Sequence, residues 1–404
     1  MAGGPLAGIT VVDLTSVVVG PLATQILADH GADVIKVESK SGDLIRVMNG
    51  KSVTPGMSAK FLHLNRNKRS IVLDLKHPAG HAALLKLIAR CDVLVWNVRP
   101  AAMARLKLAY DDVRAVNAKI IYCGMFGFGQ NGRYRDKPAY DSIVQGAGGM
   151  AALNHRVTGE PRFVPMVVAD KVVGLIAVQM IAMALYRRTQ SGEGCAIEIP
   201  MFENLVKFVL EEHMYLKTFE PPLGEAGDTR LLDPGSRPIP TRDGYICISA
   251  NTNAQAFAFF DAVGRPELKT DPRFSSVQAR FAHVKDYFQV RVDALKTRTT
   301  AEWVEIFNRN DVPAMPYHTL DGVLEDRHLD DVGFFEIKTH PTEGAIRNMR
   351  LPNHWSCGAR SEWNPAPKLG QQSVEILREA GCSDIEIERL VAAGVTVDGR
   401  LDKQ

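Results

Sequence analysis

At 404 residues the chain has room for one large domain and a smaller one, each with a buried core. Hydrophobic residues at 46% and charged residues at 23% are globular proportions, and a net charge of +2 with no dense Lys/Arg block excludes a nucleic-acid surface. The six cysteines lie far apart with no C-x-x-C pair, which excludes a disulfide scaffold or a structural zinc site and fits a reducing cytoplasm.

In chain order, Ile9 to Leu14 is a β-branched run that predicts a strand, followed by a helix from Pro21 to His30 and a strand from Asp33 to Glu38. The start shows no basic segment ahead of this first run, and Asp13 interrupts the run, so no signal peptide is expected. Ser70 to Leu75 predicts a strand, and Pro78 to Arg90 a helix with Pro near its start. Asp92 to Asn97 and Lys119 to Cys123 complete a set of short apolar strands, and strands so spaced by helices argue for a parallel sheet covered on both faces. Val172 to Tyr186 is the longest apolar stretch. It falls short of the roughly 20 residues that span a bilayer and predicts a core helix buried on most sides. Ala196 to Ile199 reads as a strand and Phe202 to Lys217 as a helix.

Residues 219–242, rich in Pro, Gly and charge, read as a linker. Beyond it Tyr245 to Ser249 predicts a strand in which Cys247 is a buried thiol, helices follow between 254 and 309, and Gln371 to Ala380 and Ser383 to Ala393 predict two final helices. The expected organisation is α/β: a large domain from 1–200 and 330–404, with a small α/β domain at about 225–325.

Gly127 to Gly132 has G-x-G-x-x-G spacing after a strand, but Pro138 and its charged neighbours open no helix, so the dinucleotide fingerprint lacks its context. A glycine-rich loop beside an active site fits better than an NAD or FAD site. His77 and His81 stand four apart as metal ligands can, yet no third ligand is evident and a polar helix face is expected. No Walker-type motif and no G-x-S-x-G elbow is present. In Val167 to Gly174 an aspartate, Asp170, stands where a short apolar run meets the long helix. It is either a helix cap worth about 1 kcal/mol or a reactive carboxylate.

Taken together, several segments resemble family III of the CoA-transferases, the group that includes formyl-CoA and carnitine CoA-transferases and the α-methylacyl-CoA racemases. They are Leu6 to Thr15, Gly20-Pro21, Leu27 to Glu38, Asn67 to Ile71, Leu73 to Lys76, Phe126 to Gln130, Pro138 to Asp141, Ala169-Asp170, Ala184 to Arg188, Gly192 to Gly194 and Val312 to Pro316. The likeness runs in order through nearly the whole chain.

The resemblance implies a Rossmann-like large domain, a second small domain, and an interlocked homodimer with the active site between the large domain of one chain and the small domain of the other. It also implies Asp170 as the nucleophile and CoA contacts at Val18, Val19, Ser39, Leu73, Asp74, Lys76, Asn97, Val98, Arg99, Arg105, Ala139, Tyr140 and Asp141. Lys76 and Arg105 offer cationic donors for phosphates. Coenzyme A and acyl-CoA enter as substrates, with no permanently bound cofactor, no metal, and no nucleic-acid or membrane partner expected. The racemases of the family carry a His in the place of Tyr140, where it pairs with the later aspartate to move the α-proton. A phenol with a pKa near ~10 is a poor base, which favours transfer over racemisation. A non-catalytic acyl-CoA-binding protein remains the alternative from another class. Oxalate-using members have Gln where this chain has Val18 and Trp where it has Met48, and their run of glycines is missing between 219 and 250. These departures argue against formyl-CoA:oxalate exchange and leave succinyl or another short acyl group.

Overall fold

The computed structural model describes residues 3–48, 50–357 and 362–399. Its first part alternates strand and helix: β1 (Thr10–Leu14), α1 (Val19–Asp29), β2 (Asp33–Glu38), α2 (Ala59–Asn65), β3 (Lys68–Val72), α3 (Pro78–Ile88), β4 (Val93–Trp96), α4 (Pro100–Arg105), α5 (Tyr110–Val116) and β5 (Ile121–Phe126). Next come α6 (Asp141–Ala147), α7 (Met150–Thr158), α8 (Val168–Ser191), β6 (Cys195–Pro200) and α9 (Met201–His213). Strands β1 to β6 form one parallel sheet in the order β3-β2-β1-β4-β5-β6. The order reverses between β1 and β4, and in such sheets the crevice at that reversal, beyond the carboxyl ends of the strands, is where ligands bind.

Strands β4 and β5 are buried at every residue, as expected where a parallel sheet is covered on both faces. Val12, Ile35, Ile71 and Leu94 share a core with Leu84 and Ile88 of α3 and Val113 of α5. Helices α1 and α8 pack together and against the sheet. Their close approach has a sequence cause at Gly174, where a Cβ would stand 2.8 Å from the Val19 carbonyl oxygen. The α3 start is specified locally: His77 accepts the Ala79 N–H and Pro78 occupies the first turn, so His77 is a cap. Among the described residues no cluster of His, Cys, Asp and Glu could hold a metal.

Helix α8 departs from expectation in length and burial. It runs for 24 residues, taking in Lys171 at one end and Arg187-Arg188 at the other. Ala169, Val173, Ala177, Ile181 and Ala184 are buried, whereas Leu175, Met183 and Tyr186 are exposed along the opposite flank. Small residues on the inner face let the helix sit close, and the bulkier apolar ones are left outside.

The chain divides into two compact units, the first Met1–Gly149, Phe163–Phe208 and Gly333–Gln404, the second Met150–Arg162 and Val209–Val332. The second holds α7, β7 (Ile239–Pro240), β8 (Tyr245–Ile248), α10 (Asn253–Ala262), α11 (Val277–Ala282), α12 (Val284–Leu295), α13 (Thr300–Arg309), β9 (Ala314–Pro316), α14 (Leu320–Leu324) and α15 (Arg327–Asp331). Its core gathers Phe259, Phe260, Phe274, Trp303 and Phe307 under the antiparallel β7-β8-β9 sheet. Cys247 is exposed there, contrary to expectation, because β8 alternates between a core face carrying Ile246 and a solvated face. The first unit is completed by the hairpin β10 (Phe335–His340) and β11 (Gly344–Met349) and by α16 (Ser373–Glu379) and α17 (Asp384–Ala392). Ser383 and Glu386 start α17 as a reciprocal capping box.

Candidate active site

Asp170 lies in the first turn of α8, and the residue that caps this helix is Val167, which offers no side-chain hydrogen bond. The carboxylate is therefore not a cap. Only 9% of Asp170 is exposed, and among the described residues nothing donates a hydrogen bond or pairs a charge to its carboxyl group. Its own backbone N–H donates to Asp141 Oδ1 at 3.1 Å, and Gln145 Nε2 donates to Asp141 Oδ2 at 2.6 Å. Gln145 also ties the segment ahead of α8: Nε2 reaches the Met166 carbonyl at 3.0 Å and Oε1 accepts the Val164 N–H at 2.9 Å. Burial, and secondly the negative charge of Asp141, push the Asp170 pKa up to about 7. A carboxyl group with that pKa is divided between its acid and ionised forms near neutrality.

The CoA-contact candidates gather by strand end. Val18 and Val19 open α1 beyond β1, Ser39 follows β2, and Leu73, Asp74 and Lys76 follow β3, which stops at Val72 rather than running to residue 75. Asn97, Val98 and Arg99 follow β4, with Arg105 exposed at the end of α4. Ala139, Tyr140 and Asp141 lie beyond β5 at the start of α6. All thus stand on the carboxyl side of five neighbouring parallel strands. Asn97 clasps the loop after β1 at the reversal itself: its Oδ1 accepts the Ser16 N–H at 2.9 Å and its Nδ2 donates to the Ser16 carbonyl at 2.8 Å. Ser39, Lys76 and Arg99 are exposed, Leu73 is buried in the core, and Tyr140 is 71% exposed. Asp141 alone among them is buried beside Asp170.

A buried ionic network supports the loop between β1 and α1. Lys36 Nζ donates to the Thr15 carbonyl at 3.0 Å and pairs with Asp43 at 2.9 Å; Asp43 in turn accepts the Val17 N–H at 3.0 Å. Val17 has a φ of 70°, a left-handed conformation that strains a β-branched residue by about 1–3 kcal/mol and persists only when its surroundings hold it. Burial alone would raise the Asp13 carboxyl, but Lys68 and Lys36, with hydrogen bonds from Thr15 and Thr24, outweigh it and hold it down to about 2. These partners were not apparent from sequence, where Lys36 falls inside the strand run Asp33 to Glu38 and nothing names the group that pairs with it. The usable signal was Asp, Lys and Glu inside otherwise apolar strand runs, since a charge there must be paired.

The glycine loop after β5 has a second role. A Cβ on Gly127 would meet that of Ala139 at 2.4 Å, so Gly127 lets the loop fold back on the segment leading into α6. The Gly129 N–H, a candidate oxyanion donor, is already given to Glu203 Oε1 at 2.8 Å. No helix begins between β5 and α6, which leaves no pyrophosphate-binding helix start after the glycines.

Comparison with known proteins places the chain in a family. The CoA-transferase family III model matches residues 6–373. The chain is 32% identical over 388 residues to a succinate–glutarate CoA-transferase of Agrobacterium fabrum, covering 93% of this chain and 95% of the relative. A formyl-CoA:oxalate CoA-transferase of Bradyrhizobium diazoefficiens is 32% identical over 417 residues, covering 96% of each. A CAIB/BAIF family protein from Brucella suis superposes with a TM-score of 0.79 at 28% identity, over 94% of this chain and all of the other. The chain belongs to family III of the CoA-transferases and is a transferase enzyme acting on CoA thioesters.

Proposed function

We propose that the protein moves CoA between an acyl-CoA donor and a short carboxylic acid through covalent intermediates on Asp170. The observation that carries this reading is a buried carboxylate that meets no cation and no donor among the described residues, on a helix that touches the start of α1 through Gly174 and Val19. A buried acid with no structural partner is costly, which favours a chemical role. In the proposed sequence an Asp170 oxygen attacks the thioester carbonyl, giving a mixed anhydride and CoA thiolate. The thiolate attacks the aspartyl carbonyl, giving an aspartyl-CoA thioester and the first acid. The acceptor carboxylate then attacks that thioester and the two steps run in reverse, so each difficult substitution is divided into easier ones.

The raised pKa suits this role. A desolvated carboxylate of higher basicity is a better nucleophile, and a value near the working pH balances basicity against the ionised fraction. Tyr140, turned to solvent, supplies no base for an α-proton, which supports transfer over racemisation. With Val18 and Met48 in place of the Gln and Trp of oxalate users, short dicarboxylic acyl groups such as succinyl and glutaryl are the first substrates to try. The exposed apolar flank of α8 supports a homodimer, since contiguous apolar surface of this kind marks an interface.

The test is a mass-spectrometric screen of CoA exchange from succinyl-CoA to a panel of short acids, with hydroxylamine added during turnover. The reading predicts exchange that hydroxylamine stops only while acyl-CoA is present. Exchange untouched by hydroxylamine, or binding of acyl-CoA without any exchange, would overturn it.

A further inference from the structure

The second unit contains a cavity of about 130 Å³ that the transfer chemistry does not use. Four arginines line it, Arg230, Arg237, Arg280 and Arg291, and among the described residues no Asp or Glu does. Arg280 and Arg291 are 3% and 5% exposed, and among the described residues none of the four pairs with a carboxylate. Burying guanidinium groups without a counter-charge is expensive, so such a cluster needs an anion or a strong structural reason.

The structural reason covers Arg280 only. Its guanidinium donates to the carbonyls of Phe274 at 2.8 Å and Asn251 at 3.3 Å and to Asn253 Oδ1 at 2.9 Å. Arg291 has one long bond, 3.4 Å to the Ala250 carbonyl, and lies over the Tyr287 ring at 4.2 Å; its buried Nε has no partner. The buried Nε of Arg230 is likewise without a partner. The acids nearest in sequence are engaged elsewhere, Asp228 with the N–H groups of Arg230 and Leu231, Asp233 with that of Gly235. Ile239, Ile248, Val284 and Phe288 give the wall an apolar part, beside the polar Ser236, Ser249 and Asn251.

We infer that this cavity is a binding site for a small dianion with a short apolar spacer, a short dicarboxylate. Two carboxylates match paired guanidinium forks, which bind planar anions through two parallel N–H···O bonds. The methylenes between them lie against the isoleucines and Phe288. Inorganic phosphate satisfies the charge but leaves the apolar wall unused, and a monocarboxylate satisfies only one end. The site lies wholly within the second unit and stands whether or not the transfer reading above holds.

The experiment is calorimetric titration of the full-length Asp170→Ala protein, which removes turnover, with glutarate, butyrate and inorganic phosphate. Arg237→Ala and Arg291→Met are made in the same background. Arg237 is exposed, so its truncation leaves folding intact even if Arg291→Met does not fold. Glutarate is expected to bind at least about tenfold more tightly than butyrate or phosphate, and each substitution to weaken it by about tenfold or more. Equal binding of phosphate or butyrate, no binding of glutarate, or glutarate binding unchanged by Arg237→Ala would overturn the inference.

Discussion

A carboxylate largely removed from water holds its proton longer, and Asp170, with no cation paired to it among the described residues, does so up to about pH 7. Only the ionised form attacks a thioester, so exchange should rise with pH through about 7 and level off above it. Replacing Asp141 by Asn keeps an oxygen for the Asp170 N–H and removes the neighbouring charge. The acid limb of the rate profile should then move to lower pH, though not to 3.8, because burial is the larger cause. An unmoved limb would show that Asp141 does not set the Asp170 ionisation. The same shift has a stability consequence. The native state keeps this proton up to about pH 7 while the unfolded chain releases it near 3.8, so stability falls as pH rises through that window. The full effect corresponds to about 4 kcal/mol above pH 7. Asp170→Asn should therefore raise Tm more at pH 8 than at pH 5, read by scanning calorimetry at both. An equal effect at both pH values would contradict the raised pKa.

At the scale of elements, Gly174 allows α8, the helix that carries Asp170, to touch α1 at Val19. Gly174→Ala places a methyl 2.8 Å from a carbonyl oxygen, so the helices must part. Overpacking of this kind costs about 1–3 kcal/mol. A lowered Tm with reduced kcat is expected, and an unchanged Tm and kcat would show that the contact does not position the nucleophile. The alternation of β-branched runs and amphipathic helices made the main sheet legible: β2 begins and ends where the pattern of Asp33 to Glu38 places it. Short helices such as α2 and α6 were not legible, since a turn or two leaves no clear periodicity and their existence depends on what they pack against. Asp170 was singled out by its place before an apolar helix and by the family likeness. Its neighbourhood was not, because Asp141, 29 residues earlier, is brought alongside only by folding.

At the scale of the whole molecule, the ionic network of Asp13, Lys36, Asp43 and Lys68 and the arginine cavity escaped the sequence for one reason. Each is assembled from charged residues spread along the sequence, up to 55 positions apart for Asp13 and Lys68, and only folding brings them together. The outer flank of α8 has the opposite problem: its apolar residues read as core, and within one chain they are left uncovered. If two copies cover that flank, Leu175→Glu with Met183→Glu should convert a dimer into a monomer in light scattering coupled to size exclusion. A wild-type protein that is already monomeric, or a double variant that stays dimeric, would contradict the proposal.

Oxygen tracing tests the central claim most directly. With an acceptor acid carrying 18O in both carboxylate positions, collapse of the second anhydride leaves one acceptor oxygen on the aspartyl side chain. After turnover and proteolysis, the peptide containing Asp170 should carry 18O, and no other peptide should. Continued exchange with that peptide unlabelled would contradict the account.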